Sequence, residues 1–183
     1  RDRRLVFLSA VLGGGGRGLG VLNVFVPLYL SLVIGLDTLT VALMYTVLVV
    51  FSVPGPIVAG WLSDRIGRKP FVILTFLSFA LFPVAIVFAS NFGWLIAAYV
   101  IGGLREIGEP SRKAMIVDLA HDNIRARSVG LYYLVRSLSI TPAAAIGGLL
   151  WKIGPEVPFV IAGLIGLVGT IVFIMTVEES YAS

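Results

Sequence analysis

A short basic loop at residues 60–70 lies between two long apolar stretches and constrains this chain more than any other feature. It reads Gly-Trp-Leu-Ser-Asp-Arg-Ile-Gly-Arg-Lys-Pro, and neither residues 39–59 before it nor residues 71–90 after it carry a charge. Apolar runs of about 20 residues are long enough to cross a bilayer as helices. The basic loop is therefore predicted to join two membrane spans, with Gly67 at the turn and Pro70 in the first turn of the next helix.

The composition extends this interpretation to the whole chain. Of its 183 residues, 58% are hydrophobic and 13% charged, whereas soluble domains contain about 25% charged residues. At roughly 25 to 30 residues per span and loop, the chain has room for six helices. We expect an all-α membrane protein, a six-helix transmembrane bundle built of two inverted three-helix repeats. The predicted spans are about 5–34, 39–62, 71–90, 94–116, 128–150 and 157–177.

The basic residues predict the orientation of the bundle. Of the 14 Lys and Arg residues, ten fall at predicted cytoplasmic positions, three lie inside spans and only Lys152 falls outside. Because cytoplasmic loops are enriched in Lys and Arg, both termini should face the cytoplasm, in a cell (plasma or inner) membrane. Arg1 in place of a start methionine predicts a chain trimmed at its front.

Several classes of function are disfavoured. The chain has no cysteine and a single histidine, so no metal site and no cofactor are expected. The net charge of +4 falls at loops and span ends, which indicates contact with the lipid bilayer rather than with nucleic acid. A membrane-embedded enzyme is a weak option, because no nucleophile motif or metal-ligand spacing is present.

Charges inside the predicted spans are the candidate functional residues. At about 1.5 Å per residue, Arg17, Arg105 and Arg136 lie about 14 to 18 Å into spans 1, 4 and 5, near the middle of a core about 30 Å thick. Glu106 and Glu109 lie beside Arg105, and Pro110 is predicted to bend the helix there. Arg105, Glu109 and Lys113 are spaced four apart, which would place them on one helix face.

Two interpretations of these charges stay open. In one, the three arginines line an aqueous cavity and bind an anionic or zwitterionic small-molecule substrate, while Glu106 or Glu109 takes up a proton. In the other, the charges pair to hold the spans together. Arg112 and Lys113 are expected near the inner surface, in contact with lipid headgroups.

The basic loop also resembles the signature loop between the second and third helices of major facilitator superfamily transporters. The resemblance rests on Gly60, Leu62, Ser63, Asp64, Arg65, Gly67, Arg68, Lys69 and Pro70. Arg105 is similar to an arginine that many members carry in the fourth helix, although Glu109 stands where the family often has glycine. Pro142-Ala-Ala-Ala-Ile-Gly-Gly148 resembles the antiporter motif but has a wider spacing.

The resemblance implies one six-helix half of a twelve-helix secondary transporter, working by alternating access and driven by protons. Gly60, Asp64, Arg65, Gly67, Arg68 and Lys69 would form a conformational latch to the other six-helix half or a second copy. The turn at residues 154–159 and the acidic tail favour a C-terminal half, whereas the basic loop is more usual in N-terminal halves. The alternative function is a non-transporting six-span assembly or scaffold subunit.

Overall fold

The computed structural model describes residues 24–118 and 125–176, and these residues are helical apart from short turns. We number the described helices in chain order. They are α1 (Val26–Leu32), α2 (Thr38–Ser52), α3 (Pro54–Ile66), α4 (Lys69–Val87), α5 (Phe92–Gly103), a 3₁₀ turn at Leu104–Glu106, α6 (Glu109–Asp118), α7 (Arg125–Ile153) and α8 (Val157–Thr176).

Three helical stretches of the described residues are long and apolar enough to cross a membrane. They are Thr38–Ile66, Lys69–Val87 and Val157–Thr176, with mean hydropathies of 2.1, 2.4 and 2.6. They correspond to the predicted second, third and sixth spans. The predicted fifth span lies inside α7, which has 29 residues, and most of the predicted first span lies outside the described residues. The count of six spans and the inverted repeat therefore stay predictions.

The predicted second span, 39–62, is longer than expected and is interrupted near its middle. It runs from Thr38 to Ile66, and its α-helical pattern is interrupted at Val53, immediately before Pro54. Proline has no N–H to donate and its ring crowds the preceding turn, so an interruption at this point has a local cause. At its N-terminus, α2 is capped by the Asp37 carboxylate, which accepts hydrogen bonds from the Thr40 hydroxyl and from the N–H groups of Leu39 and Thr40. These hydrogen bonds lower the pKa of Asp37, and the bond from the Thr40 hydroxyl has the largest effect.

The predicted fourth span, 94–116, was wrong as a single helix. The structure replaces it with α5 and α6, separated by residues 104–108, which we call the helix break. Asn91 caps the N-terminus of α5 by accepting a 2.8 Å hydrogen bond from the N–H of Trp94. The break begins before Pro110, the residue predicted to bend this helix, and it ends at Gly108, which packs closely against α4.

Glycines allow the helices to approach closely. A Cβ atom at Gly163 would lie 2.3 Å from Val84 Cγ2, and one at Gly166 would lie 2.8 Å from Ala80 Cβ, so α8 lies directly against α4. Gly103 similarly seats α5 against α2, since a Cβ there would lie 2.6 Å from Phe51 Cβ. Small residues at such crossings bring backbones together in lipid, where close packing and not the hydrophobic effect favours association.

The main described core lies between α1, α2, α4, α5 and α8, with Ala143 of α7 at its edge. Tyr99, Phe82 and Phe159 are among its largest fully buried side chains. A second, smaller cluster joins α4 to α8 through the edge-to-face rings of Phe76 and Phe173, 5.2 Å apart. The helix break enters this core from α5, so the charged residues within it lie against packed apolar side chains.

Candidate functional site

The helix break places a charged pair next to the core. Arg105 Nε lies 3.5 Å from Glu106 Oε1, and the two side chains are 18% and 34% exposed. Of the predicted pathway residues whose side chains the structure describes, these two are more exposed than Glu109, which is 16% exposed.

Two tyrosines lie near Arg105. Tyr45 on α2 and Tyr99 on α5 meet edge to face, with ring centroids 5.7 Å apart, and Phe82 on α4 packs on the other side of Tyr99 at 5.3 Å. Both tyrosines interact electrostatically with Arg105. The predicted pathway did not include them, although Tyr45 is a polar aromatic residue within an apolar span and Tyr99 lies six residues before Arg105.

A single glycine fixes the inner end of the break. The N–H of Gly108 donates a 2.7 Å hydrogen bond to Oγ1 of Thr75 on α4. A Cβ atom at Gly108 would lie only 2.1 Å from the carbonyl oxygen of Phe71. The broken backbone is thus satisfied by a side chain from a neighbouring helix, as membrane interiors require.

The next turn holds a second and tighter ion pair. Arg112 Nη2 lies 2.6 Å from Glu109 Oε1, with side chains 7% and 16% exposed. The prediction that Arg112 lies at the lipid surface was wrong, because its guanidinium faces Glu109 and the ring of Tyr132 on α7, 6.0 Å away. Lys113, in contrast, is exposed.

The other predicted pathway residues are not placed by the structure. Arg17 lies outside the described residues. Arg136 lies in α7, and its side chain lies outside the described part of the chain. The convergence of the three arginines at one depth therefore stays a prediction. Of the three, only Arg105 has side-chain surroundings that the structure describes.

The basic loop has the backbone that its sequence predicts. Gly67 ends α3 with a φ of 101°, a value that only glycine adopts readily. Its N–H donates to the carbonyl of Ser63, and Gly60 lies in α3 with open space around its Cα. Lys69 and Pro70 begin α4, as expected of a proline in the first turn.

The side chains of the basic loop make contacts within this chain. The Arg65 guanidinium lies 3.9 Å from the centroid of the Trp61 ring. Arg68 Nη2 lies 3.8 Å from Asp64 Oδ1, and Lys69 Nζ donates a 3.1 Å hydrogen bond to the carbonyl of Ile174, near the end of α8. The Asp64 side chain is 66% exposed and is the acidic group that this loop presents outwards.

Apolar helices long enough to span a membrane, a helix interrupted at a charged pair and a basic loop turned at a glycine are together typical of a multi-pass membrane protein. The sequence model of the Major Facilitator Superfamily matches residues 6–183. This chain belongs to that superfamily, as the basic loop predicted.

Two relatives show how this chain relates to longer proteins. It is 31% identical over 119 residues to an uncharacterised MFS-type transporter of Methanocaldococcus jannaschii, covering 64% of this chain and 29% of that protein. It is 22% identical over 163 residues to the quinolone resistance protein NorA of Staphylococcus aureus, covering 88% of this chain and 42% of NorA. The chain thus aligns with less than half the length of these relatives. Membership of a family of transporters favours neither the scaffold nor the enzyme alternative.

Proposed function

We propose that this chain is one six-helix half of a proton-driven secondary transporter that moves a small anionic or zwitterionic solute by alternating access. The observation that carries the proposal is the Arg105–Glu106 pair at the helix break, with Tyr45 and Tyr99 near Arg105. Charged residues at membrane depth are costly, and where they persist they usually face a cavity or a partner. Broken helices with charges at the break are a common way to build a solute site near the midplane.

The chemistry of the pair suits an acidic solute group. A guanidinium offers a planar fork of N–H donors that binds a carboxylate or a phosphate through two parallel hydrogen bonds. Glu106, the more exposed partner, would release Arg105 to the solute when it takes up a proton. Arg105 would then exchange its ion pair with Glu106 for one with the solute, and this exchange would couple uptake of the solute to uptake of the proton. Arg17 and Arg136 are proposed to add to the same basic surface.

The basic loop is proposed to act as the conformational latch. Arg65, Arg68 and Lys69 have contacts within this chain, which supports a role in holding the loop in shape. Asp64 points outwards, so its carboxylate would meet the positive N-terminus of a helix in the other half in one conformation. Loss of that contact would allow the two halves to rock apart. The other half is supplied by the rest of a longer polypeptide or by a second copy.

The proposed setting is the cell membrane, with both termini cytoplasmic. A half-bundle alone lacks the opposite wall of its cavity. The length of the relatives supports a longer functional unit, and the test below therefore uses the full-length polypeptide that contains this chain.

Transport by the reconstituted full-length protein tests the proposal. A fluorescent quinolone carboxylic acid is a suitable first probe, because one relative is a quinolone resistance protein and the probe carries the expected acidic group. Proteoliposomes with an imposed pH gradient should move the probe, and a sodium gradient alone should not. Arg105→Gln should raise KM at least about tenfold, the loss expected when one charge-assisted contact is removed.

The matched controls decide what the result means. Glu106→Gln should abolish the dependence on the pH gradient, whereas Arg127→Gln, at an exposed arginine of α7, should leave both properties unchanged. Movement of the probe with equal KM in the Arg105→Gln and Arg127→Gln proteins would refute the proposed site. A sodium-driven flux would refute proton coupling and leave the site intact.

A further inference from the structure

Arg112 lies inside the protein, although its position in the sequence suggests a lipid-facing residue. It is 6% exposed, and its guanidinium lies against one carboxylate and one aromatic ring from different helices. The carboxylate is Glu109, in the preceding turn of α6. The ring is that of Tyr132 on α7, itself 6% exposed.

This arrangement joins α6 to α7. A cation over the face of an aromatic ring is attracted by the electrons of the ring, and the attraction grows when water is excluded. Because the 2.6 Å contact to Glu109 balances the charge of Arg112, the guanidinium can lie in this buried position. The three side chains form one unit, which we call the Arg112 clamp (Glu109, Arg112 and Tyr132).

The other side of α6 is fixed to α4. Gly108, the residue before α6, is held by the hydrogen bond to Thr75 and lies in contact with the carbonyl of Phe71. Ser111, in the first turn of α6, is 2% exposed. The start of α6 is therefore held by α4 on one side and by α7 on the other, and the helix break ends at this fixed point.

The ion pair within the break and the ion pair in the following turn differ in a way that suggests different roles. The Glu109–Arg112 contact is 2.6 Å long and the more buried, whereas the Arg105–Glu106 contact is 3.5 Å long and the more exposed. A short buried pair is costly to separate, because either charge left alone is uncompensated. A longer and partly exposed pair exchanges partners more readily.

We propose that Arg112 is a positioning residue: through Glu109 and Tyr132 it fixes the start of α6, and so holds Arg105 and Glu106 where the solute binds. This inference rests on the proposed function, and it separates the candidate residues into those that bind the solute and those that hold the helix break in place. Glu109 belongs to the Arg112 clamp and does not meet the solute, and Arg105 with Glu106 does.

Kinetic constants of the full-length protein test this division. With the quinolone probe, Arg112→Gln and Glu109→Gln should each lower kcat about tenfold and leave KM within about twofold. The exchanged pair Glu109→Arg with Arg112→Glu should recover part of kcat, since it restores the ion pair but moves the positive charge away from the Tyr132 ring. Arg112→Lys should keep part of the kcat that Arg112→Gln loses. Tyr132→Phe keeps the aromatic ring and should have the kcat of the unaltered protein, whereas Tyr132→Leu should have a lower one.

A second measurement is independent of transport and guards against loss of folding. In a cysteine-free background, Leu104→Cys places one thiol in the helix break, and its reaction rate with N-ethylmaleimide reports how firmly the break is held. Arg112→Gln should raise this labelling rate about tenfold. The exchanged pair should lower it again towards the rate of the protein with Arg112 unaltered. If Arg112→Gln does not accumulate, Arg112→Lys and Tyr132→Leu supply the same comparison.

The outcomes separate this inference from the proposed function. A Glu109→Gln protein that raises KM as much as Arg105→Gln does would overturn the inference, since Glu109 would then meet the solute. An exchanged pair that folds but recovers neither kcat nor the labelling rate would overturn it as well. If the unaltered protein moves no probe, the proposed function fails, and the labelling rates alone decide whether the Arg112 clamp holds the break.

Discussion

The N–H of Gly108 and the hydroxyl oxygen of Thr75 are 2.7 Å apart, although the residues are 33 positions apart in the chain. This hydrogen bond fastens the last residue of the helix break to α4. It also satisfies a backbone donor in surroundings where an unpaired N–H is costly.

The close approach at Gly108 predicts a sharp response to substitution. Gly108→Ala would place a methyl group against the Phe71 carbonyl, 2.1 Å away, and should lower the free energy of unfolding by about 3 kcal/mol. Gly130→Ala is a matched control, because a Cβ there meets nothing within 4 Å, and alanine in an open helical position should stabilise by about 0.5 to 1 kcal/mol. Thermal unfolding in detergent measures both, and equal melting temperatures for the two variants would contradict the close contact.

The hydrogen bond from Lys69 to the Ile174 carbonyl predicts that the basic loop steadies the end of α8. Removal of the ammonium group by Lys69→Met should cost about 0.5 to 1.5 kcal/mol, the worth of a typical hydrogen bond. Lys113→Met removes an exposed lysine of α6 and should cost less. Amide hydrogen exchange should show faster opening of the last turn of α8 in the Lys69→Met protein only. Unchanged exchange there would argue against this tether.

The exposed carboxylate of Asp64 predicts a defect in transport without a defect in folding. Asp64→Asn removes the charge proposed to meet the other half, and should lower the transport rate of the full-length protein about tenfold while membrane levels stay unchanged. Asp37→Asn is the control, since asparagine caps a helix as well as aspartate does and Asp37 lies at the other end of the same spanning stretch. Equal rates for the two variants would remove the latch from the mechanism.

The predicted orientation can be read from two exposed positions. Ile66, 54% exposed beside the basic loop, should react as Ile66→Cys with an impermeant maleimide only from the cytoplasmic side. Ser90, exposed after α4, should react as Ser90→Cys only from outside. Ser63 is a poor choice because it is 3% exposed, although its place in the basic loop makes it attractive from the sequence. The opposite pattern of labelling would invert the topology.

The size of the native polypeptide tests whether this chain works with a covalently linked second half. An antibody raised against residues 178–183 should detect a protein of about twice 19.6 kDa in the membranes of its own cells. The physical reason is that a half-bundle lacks one wall of its cavity. A band near 19.6 kDa would instead point to a second copy or a separate partner.

Sequence reasoning succeeded where the cause of a structure is local. The positive φ of Gly67 and the start of α4 beside Pro70 follow from the backbone chemistry of glycine and proline. The limits of α4 and α8 follow from long uncharged runs. These elements were predicted to within a few residues.

It failed where a distant contact decides the outcome. Helical spacing made Arg105, Glu109 and Lys113 neighbours on one face, but residues 104–108 are not α-helical. The break depends on the Phe71 carbonyl and the Thr75 hydroxyl, which no local pattern in residues 94–116 reveals. The burial of Arg112 likewise depends on Tyr132, one helix later in the chain.

The stretch Thr38–Ile66 is apolar around most of its circumference, and only 17% of its most apolar window is buried by the rest of the described chain. A membrane helix must be stable in contact with lipid before all the helices that pack against it have been synthesised. Apolar side chains are stable both against acyl tails and against another protein, so this stage costs little free energy. Because acyl tails and apolar side chains are similar surroundings, hydrophobicity does not determine which helix packs against this stretch. Shape complementarity and the polar groups at the end of the helix determine it instead.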